Sequence, residues 1–99
     1  KQPTLVFCAN DDMAIGAMRA IHEAGLKIPE DLSLIGFDDA PVTAFLEPPL
    51  TSVHKPLKKM TKIGIEMLLE AIAGKPLSQK RIEIPTSLIK RKSAQKRTT

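Results

Sequence analysis

The sequence predicts an α/β fold, a parallel sheet flanked by helices, and three observations carry that prediction. Leu32–Asp39, LSLIGFDD, opens as a nearly continuous apolar run. It has too little polar alternation for a strand wetted on one face and suits one covered on both. A second apolar run, Leu5–Ala9 (LVFCA), lies far enough upstream to leave room for one helix between the two. Strand, helix and strand at that spacing make one right-handed βαβ unit. Both runs also end in polar residues, Asn10, Asp11 and Asp12 after the first and Asp38 and Asp39 after the second. In open α/β sheets the ligand crevice lies beyond the carboxyl ends of the strands. Two neighbouring strands with polar tips at that end are a candidate binding site.

The elements follow in order. Leu5–Ala9 is the first strand. Asn10 or Asp11 caps a helix over roughly Asp12–Ala24, where a side-chain oxygen accepts from a first-turn N–H and negative charge suits the positive helix end. Ala14, Ala17, Met18 and Ile21 recur at helical spacing and form the sheet-facing side. Gly25 suits the left-handed position after the helix, with Leu26 closing onto Ile21. Lys27–Asp31 (KIPED) is a turn, and Leu32–Phe37 is the second strand. Ala40–Pro49 reads as a loop or short irregular helix bounded by Pro41 and Pro48-Pro49. Leu50–Val53 is a short third strand. Pro56 suits the start of a second helix, Pro56–Ala73. Its apolar stripe is Leu57, Met60, Gly64, Met67, Leu68 and Ala71, broadened by Ile63 and Ile72. Arg81–Ile84 alternates like a half-exposed strand, and Thr86–Ile89 is a further short strand.

Composition excludes several classes. Ninety-nine residues make one small domain with a modest core. Three Phe, with no Trp or Tyr, are too few for a base-stacking platform. The net charge of +4 falls to −1 once Lys90, Arg91, Lys92, Lys96 and Arg97 are set aside, so the basicity reads as a solvated tail. Cys8 is the only cysteine, which leaves no internal disulfide and reads as a buried, inert thiol. No apolar run approaches the ~20 residues of a membrane span. The chain opens on Lys1-Gln2-Pro3 without an initiator Met, as expected of a stretch inside a longer protein.

Asp11, Asp12, Asp38 and Asp39 form an acidic group, but their spacing matches no metal motif, and helix caps and turns produce the same pattern. Gly16 and Gly36 belong to no phosphate loop, and the serines fit no nucleophile elbow. No catalytic residue, metal or cofactor is therefore assigned, and the chain is read as a non-enzyme. Reversible binding of a polar small molecule is the sharper reading. An ionised Asp accepts charge-assisted bonds from hydroxyls, and Asn both donates and accepts. Spacing alone leaves two roles open for Asn10 and Asp38, ligand contact or helix cap and turn.

Three segments resemble the lactose/galactose-repressor family of bacterial transcription regulators, in order and at the family's spacing. They are FCANDDMAIGAMRAIHEAGLKIPEDLSLIGFDD (7–39), PPLTSV (48–53) with Pro56 following, and IPTSLIKRKS (84–93). The resemblance implies the C-terminal part of a type I periplasmic-binding-protein-like effector domain. It divides the chain into a C-terminal-lobe portion (1–53), a crossover helix and strand of the first lobe (54–85), a return strand (86–92) and a basic disordered tail (93–99). It also implies a cytoplasmic homodimer that senses a sugar or sugar-like effector. Operator DNA would be bound only through a helix-turn-helix absent from this chain, and no membrane is involved. A periplasmic sugar-binding protein of a transport system is the alternative.

Residue by residue, Asp38 matches the family aspartate that bonds the effector, and Asn10 matches a contacting amide. Lys55 stands where relatives often carry Gln, which favours an acidic or phosphorylated effector. Ile15, Phe45 and Leu46 match positions at the family's dimer interface. The stripe on Leu57–Ala71 expects a lobe that is mostly missing, so either exchange between chains or substantial exposed apolar surface follows.

Overall fold

The computed structural model describes residues 3–77 and 79–97. The chain divides into two compact units, Lys1–His54 with Ser87–Thr99, and Lys55–Thr86. The first unit contains β1 (Leu5–Phe7), α1 (Asp11–Glu23), β2 (Ser33–Asp38), a 3-10 turn η1 (Pro41–Phe45), β3 (Thr51–His54) and β4 (Ser87–Ile89). The second unit contains α2 (Leu57–Ile72).

The four strands form one sheet in the order β1-β2-β3-β4. β1, β2 and β3 run parallel, with Phe7 beside Ile35 and Asp38 beside His54. This is the parallel α/β core that the apolar runs predict. β4 joins antiparallel to β3, pairing Val53 with Leu88, an orientation that nothing in the sequence predicts.

α1 forms for the local reasons the sequence gives. Asn10 is its N-cap, and its Oδ1 accepts from Met13 N at 2.8 Å. Asp11 and Asp12 complement the first turn. Ala14, Met18 and Ile21 are buried on one face. The helix ends in a Schellman closure: Gly25 has φ 75, its N–H bonds His22 O at 3.0 Å, and Leu26 N–H bonds Ile21 O at 3.1 Å. The core that α1 covers holds Cys8, Leu32, Leu34 and Leu50, and Val6 and Leu46 pack partly against it. Ile28, in the stretch read as a turn, is also buried there.

In the second unit, α2 carries no buried residue. Leu57, Met60, Ile65, Leu68, Leu69 and Ile72 are exposed, and Ile63 and Met67 are half-buried. Arg81–Ile84, expected as a strand, is not one. Its alternation sets Arg81 and Glu83 on one side as an exposed ion pair of 3.1 Å. Among the described residues it has no neighbouring strand for its backbone to join, and alternation without a partner does not make a ladder.

The disordered tail expected from residue 93 is also corrected. Ser93 is fully buried; its Oγ accepts from Thr51 N at 2.8 Å and donates to Leu34 O at 2.5 Å. Gln95 N–H bonds Ser33 Oγ at 3.1 Å. Backbone groups around the sheet had to be satisfied, and this segment satisfies them. Thr98 and Thr99 of the expected tail lie outside the described residues.

Candidate functional site

Because β1, β2 and β3 are parallel, their carboxyl ends share one edge of the sheet. Asn10 follows β1, Asp38 ends β2, and His54 ends β3 beside Asp38. The structure thus brings Asn10 and Asp38 to the same edge, as the sequence predicts. Asn10 also caps α1 through its Oδ1, so one of the two roles left open for it is realised in the fold.

At each strand tip the next residue is an anchor. Asp11 is 2% exposed, and its carboxylate is fully engaged within the protein. Its Oδ1 accepts from Ser52 Oγ at 2.7 Å and its Oδ2 from Ala40 N at 2.7 Å. Those bonds tie the start of α1 to β3 and to the turn after β2. Gly36 is the reason Asp11 fits: a Cβ there would overlap Asp11 Oδ1 and meet Leu50 Cδ2 at 3.0 Å.

Asp39 is the second anchor. Its N–H donates to Ser52 Oγ at 3.0 Å. Its Oδ1 accepts from Arg91 Nη2 at 2.7 Å and lies 3.3 Å from Thr43 Oγ1, while its Oδ2 lies 2.9 Å from His54 Nδ1. Burial alone would push the Asp39 carboxyl up. The bonds from Arg91 and His54, together with the Arg91 charge, outweigh burial and hold it below the ordinary carboxylate value.

Arg91 is the hub of this group. Besides Asp39 it donates from Nη1 to Leu50 O at 2.8 Å and to Thr43 Oγ1 at 2.9 Å, and its backbone N–H bonds Thr51 Oγ1 at 2.9 Å. Thr43 Oγ1 in turn donates to Ala40 O at 2.7 Å, and Thr43 O accepts from Leu50 N at 2.9 Å. Arg91 was therefore misread as part of a solvated basic tail. Within Lys90-Arg91-Lys92 no local signal distinguishes the half-buried cation from its exposed neighbours.

Between the anchors the backbone is unusual. Asp38 has φ 120 and Asp39 φ 58, consecutive positive values at residues other than glycine. Such conformations cost about 1–3 kcal/mol each and persist where surrounding contacts enforce them.

The other predicted residues are placed as follows. Lys55 opens the second unit directly after β3 and is half-buried. Ile15 is half-buried on α1. Phe45, the last residue of η1, is 86% exposed. Leu46 packs partly on its own core, so the interface reading of this residue competes with a real packing role. His54 serves a structural role, against Asp39. Burial pushes the Cys8 thiol up, away from the reactive thiolate. A groove of about 440 Å³ lies at the opposite edge, near Thr4, Asp31 and Ser33. Its Ser33 hydroxyl already accepts from Gln95, and no cluster of predicted site residues faces it. Among the described residues, no group of acids, His and Cys is arranged to hold a metal ion, and no helix is long and apolar enough to cross a membrane.

Comparison with known proteins agrees with this architecture. A family profile described as periplasmic binding protein-like domain matches residues 1–94. The HTH-type transcriptional repressor PurR of Aliivibrio fischeri is 39% identical over 97 residues, covering 98% of this chain and 29% of its own. The lac repressor dimer bound to operator and the anti-inducer ONPF superposes with a TM-score of 0.84 at 37% identity, over 93% of this chain and 32% of that one. The transcriptional regulator CelR in complex with cellobiose gives a TM-score of 0.87 at 34% identity, over 92% and 28%. The chain spans about 29% of the length of the curated relatives it matches. With a parallel sheet whose polar strand tips share one edge, it belongs to the periplasmic binding protein-like domain family, as a portion of the effector-binding domain of lactose/galactose-repressor-type regulators.

Proposed function

We propose that the chain is the effector-binding and dimerisation part of a DNA-binding transcriptional regulator of the repressor type, cytoplasmic, sensing a sugar or sugar-like molecule. One observation carries the reading: Asn10 and Asp38 stand at the carboxyl edge of adjacent parallel strands, in a chain whose relatives are named as transcriptional repressors and regulators. Those names favour a regulator over a periplasmic transport protein, and no reaction is assigned to the site. Operator DNA is contacted by a helix-turn-helix outside these residues. Residues 54–85 belong to the first lobe, and 1–53 with 86–92 to the second. Effector binding shifts the population between two lobe arrangements, with a coupling of about 1–3 kcal/mol.

In this reading Asp38 accepts effector hydroxyls and Asn10 contributes its amide. Lys55 adds a cation that favours an acid sugar or a sugar phosphate. The test is calorimetric titration of the full chain with D-glucose, D-glucuronate and glucose 6-phosphate. Asp38→Ala should weaken binding about 10–100-fold, as expected for hydrogen bonds to a charged group. Asn10→Asp keeps the capping oxygen and loses the amide donors, so affinity should fall while the melting temperature holds. Lys55→Gln should weaken the two anions more than glucose. Binding untouched by Asp38→Ala rejects the site, and an unchanged preference in Lys55→Gln rejects the anionic effector.

Ile15, Phe45 and Leu46 are the dimer contacts in the same reading. The exposure of Phe45 supports it, and Leu46 is the poorer test because it also packs inward. Phe45→Glu is expected to give monomers by sedimentation without loss of fold. A dimer that survives this change counts against the interface.

A further inference from the structure

We propose that Asp39 is a positioning residue: tied to Arg91, His54 and Ser52, it fixes the backbone conformation in which Asp38 meets the effector. This rests on the reading of Asp38 as an effector contact. Two consecutive residues have positive φ, 120 at Asp38 and 58 at Asp39. Neither residue is glycine, so neither adopts that conformation by default.

The constraint comes from what fastens the residues around Asp38. Upstream, β2 holds the chain in parallel register, with Phe37 beside Val53 and Asp38 beside His54. Downstream, Asp39 is bonded by its N–H to Ser52 Oγ at 3.0 Å and by its carboxylate to Arg91 at 2.7 Å and His54 at 2.9 Å. The next N–H, that of Ala40, is bonded to the buried Asp11 carboxylate at 2.7 Å. Asp38 is thus strung between a strand and a turn pinned from three directions: from β3 by Ser52 and His54, from α1 by Asp11, and from the segment after β4 by Arg91. Its φ cannot relax toward the extended region unless these anchors let go.

The bonds chosen are the strong kind. A bond between a carboxylate and a guanidinium is charge-assisted and directional. Both partners are largely buried, with side-chain exposures of 19% for Arg91 and 14% for Asp39. A recognition residue needs its orientation set to within about half an ångström by a supporting shell. Asp39 and its partners supply that shell from residues that are not themselves assigned to the effector. The same arrangement recurs at the other strand tip, where Asn10 is followed by the anchored Asp11.

An ion pair that served only stability would leave the Asp38 backbone unchanged when weakened, and this separates the two roles. The first readout is the three-bond HN–Hα coupling of Asp38, measured by NMR on the full chain without ligand. Asp39→Asn is expected to move this coupling toward the value of an extended strand. The second is a double-mutant cycle on D-glucuronate affinity. Asp39→Asn should weaken binding about tenfold on its own and add nothing in the Asp38→Ala background. Asp39→Glu, which keeps the charge, should recover part of the affinity. His54→Ala, at a side chain 45% exposed, removes a single anchor and serves where Asp39→Asn does not fold; it should move both readouts the same way by a smaller amount. An unmoved Asp38 coupling in either folded variant overturns the positioning role whatever the ligand. An equal loss of affinity with and without Asp38 also overturns it. If Asp38→Ala leaves glucuronate and glucose binding intact, the effector reading itself fails, an outcome the coupling measurement distinguishes.

Discussion

Gly36→Ala is expected to destabilise the protein by about 2–6 kcal/mol, more than most single methyl additions. The added Cβ overlaps Asp11 Oδ1 and also meets Leu50 Cδ2 at 3.0 Å. Leu50 is fully buried and cannot swing into solvent. The relief therefore falls on Asp11, which has to rotate off its two partners. That leaves the buried Ser52 Oγ and the half-buried Ala40 N–H without their acceptor. Overpacking costs about 1–3 kcal/mol, and a buried group deprived of its partner costs about 1–3 kcal/mol more. Gly16→Ala is the internal control. Nothing lies within 4 Å of a Cβ at Gly16, so on α1 it should be stabilising by about 0.5–1 kcal/mol. Urea unfolding of the full chain reads both. A Gly36→Ala unfolding free energy within about 1 kcal/mol of the parent would mean that Asp11 is not held as described.

The contrast between these glycines shows what a sequence can disclose. The two are indistinguishable as letters, and their difference is made by Asp11, twenty-five positions away from one of them in the chain. The features that were legible are local. α1 was readable from an apolar repeat at Ala14, Ala17, Met18 and Ile21, an Asn cap and a terminal Gly, all within one segment. The parallel strands were readable because burial on both faces forces an apolar run, and their polar tips were readable as a shared edge. What was not legible depends on partners remote in sequence. Asp11 looks like any acid in a first helical turn, and its burial is decided by Ser52 and Ala40, 41 and 29 positions away. Arg91 looks like its lysine neighbours, and its burial is decided by Asp39, 52 positions away. Arg81–Ile84 has the alternation of a strand, but a strand is a property of two segments, and among the described residues no second segment pairs with it. The candidate site was thus half visible. The residues facing the crevice edge could be named, and the residues that hold them could not.

Arg91→Met is expected to cost about 3 kcal/mol at neutral pH, and the cost should depend on pH in a defined direction. Met preserves much of the apolar stem and removes the guanidinium. Asp39 then keeps a charge that is only 14% exposed with its main counter-ion gone. Leu50 O loses its Nη1 donor, while Thr43 Oγ1 still donates to Ala40 O. In the parent, the Asp39 carboxyl is held below its ordinary value despite burial. A group with a depressed folded value contributes stability above the unfolded value, near pH 4, and loses it as pH falls through the folded one. Without Arg91, burial dominates and the carboxyl moves upward. The gap between parent and variant should therefore be full at neutral pH. It should narrow as pH falls through the carboxylate range, where Asp39 takes up a proton in both, leaving the residual cost of the Leu50 carbonyl. Arg91→Lys should fall between the two, since an ammonium keeps the charge but not the planar fork that reaches Asp39, Thr43 and Leu50 together. Denaturant midpoints at several pH values decide the matter. A gap independent of pH would make the loss one of packing and of the Leu50 and Thr43 bonds rather than of the Asp39 charge.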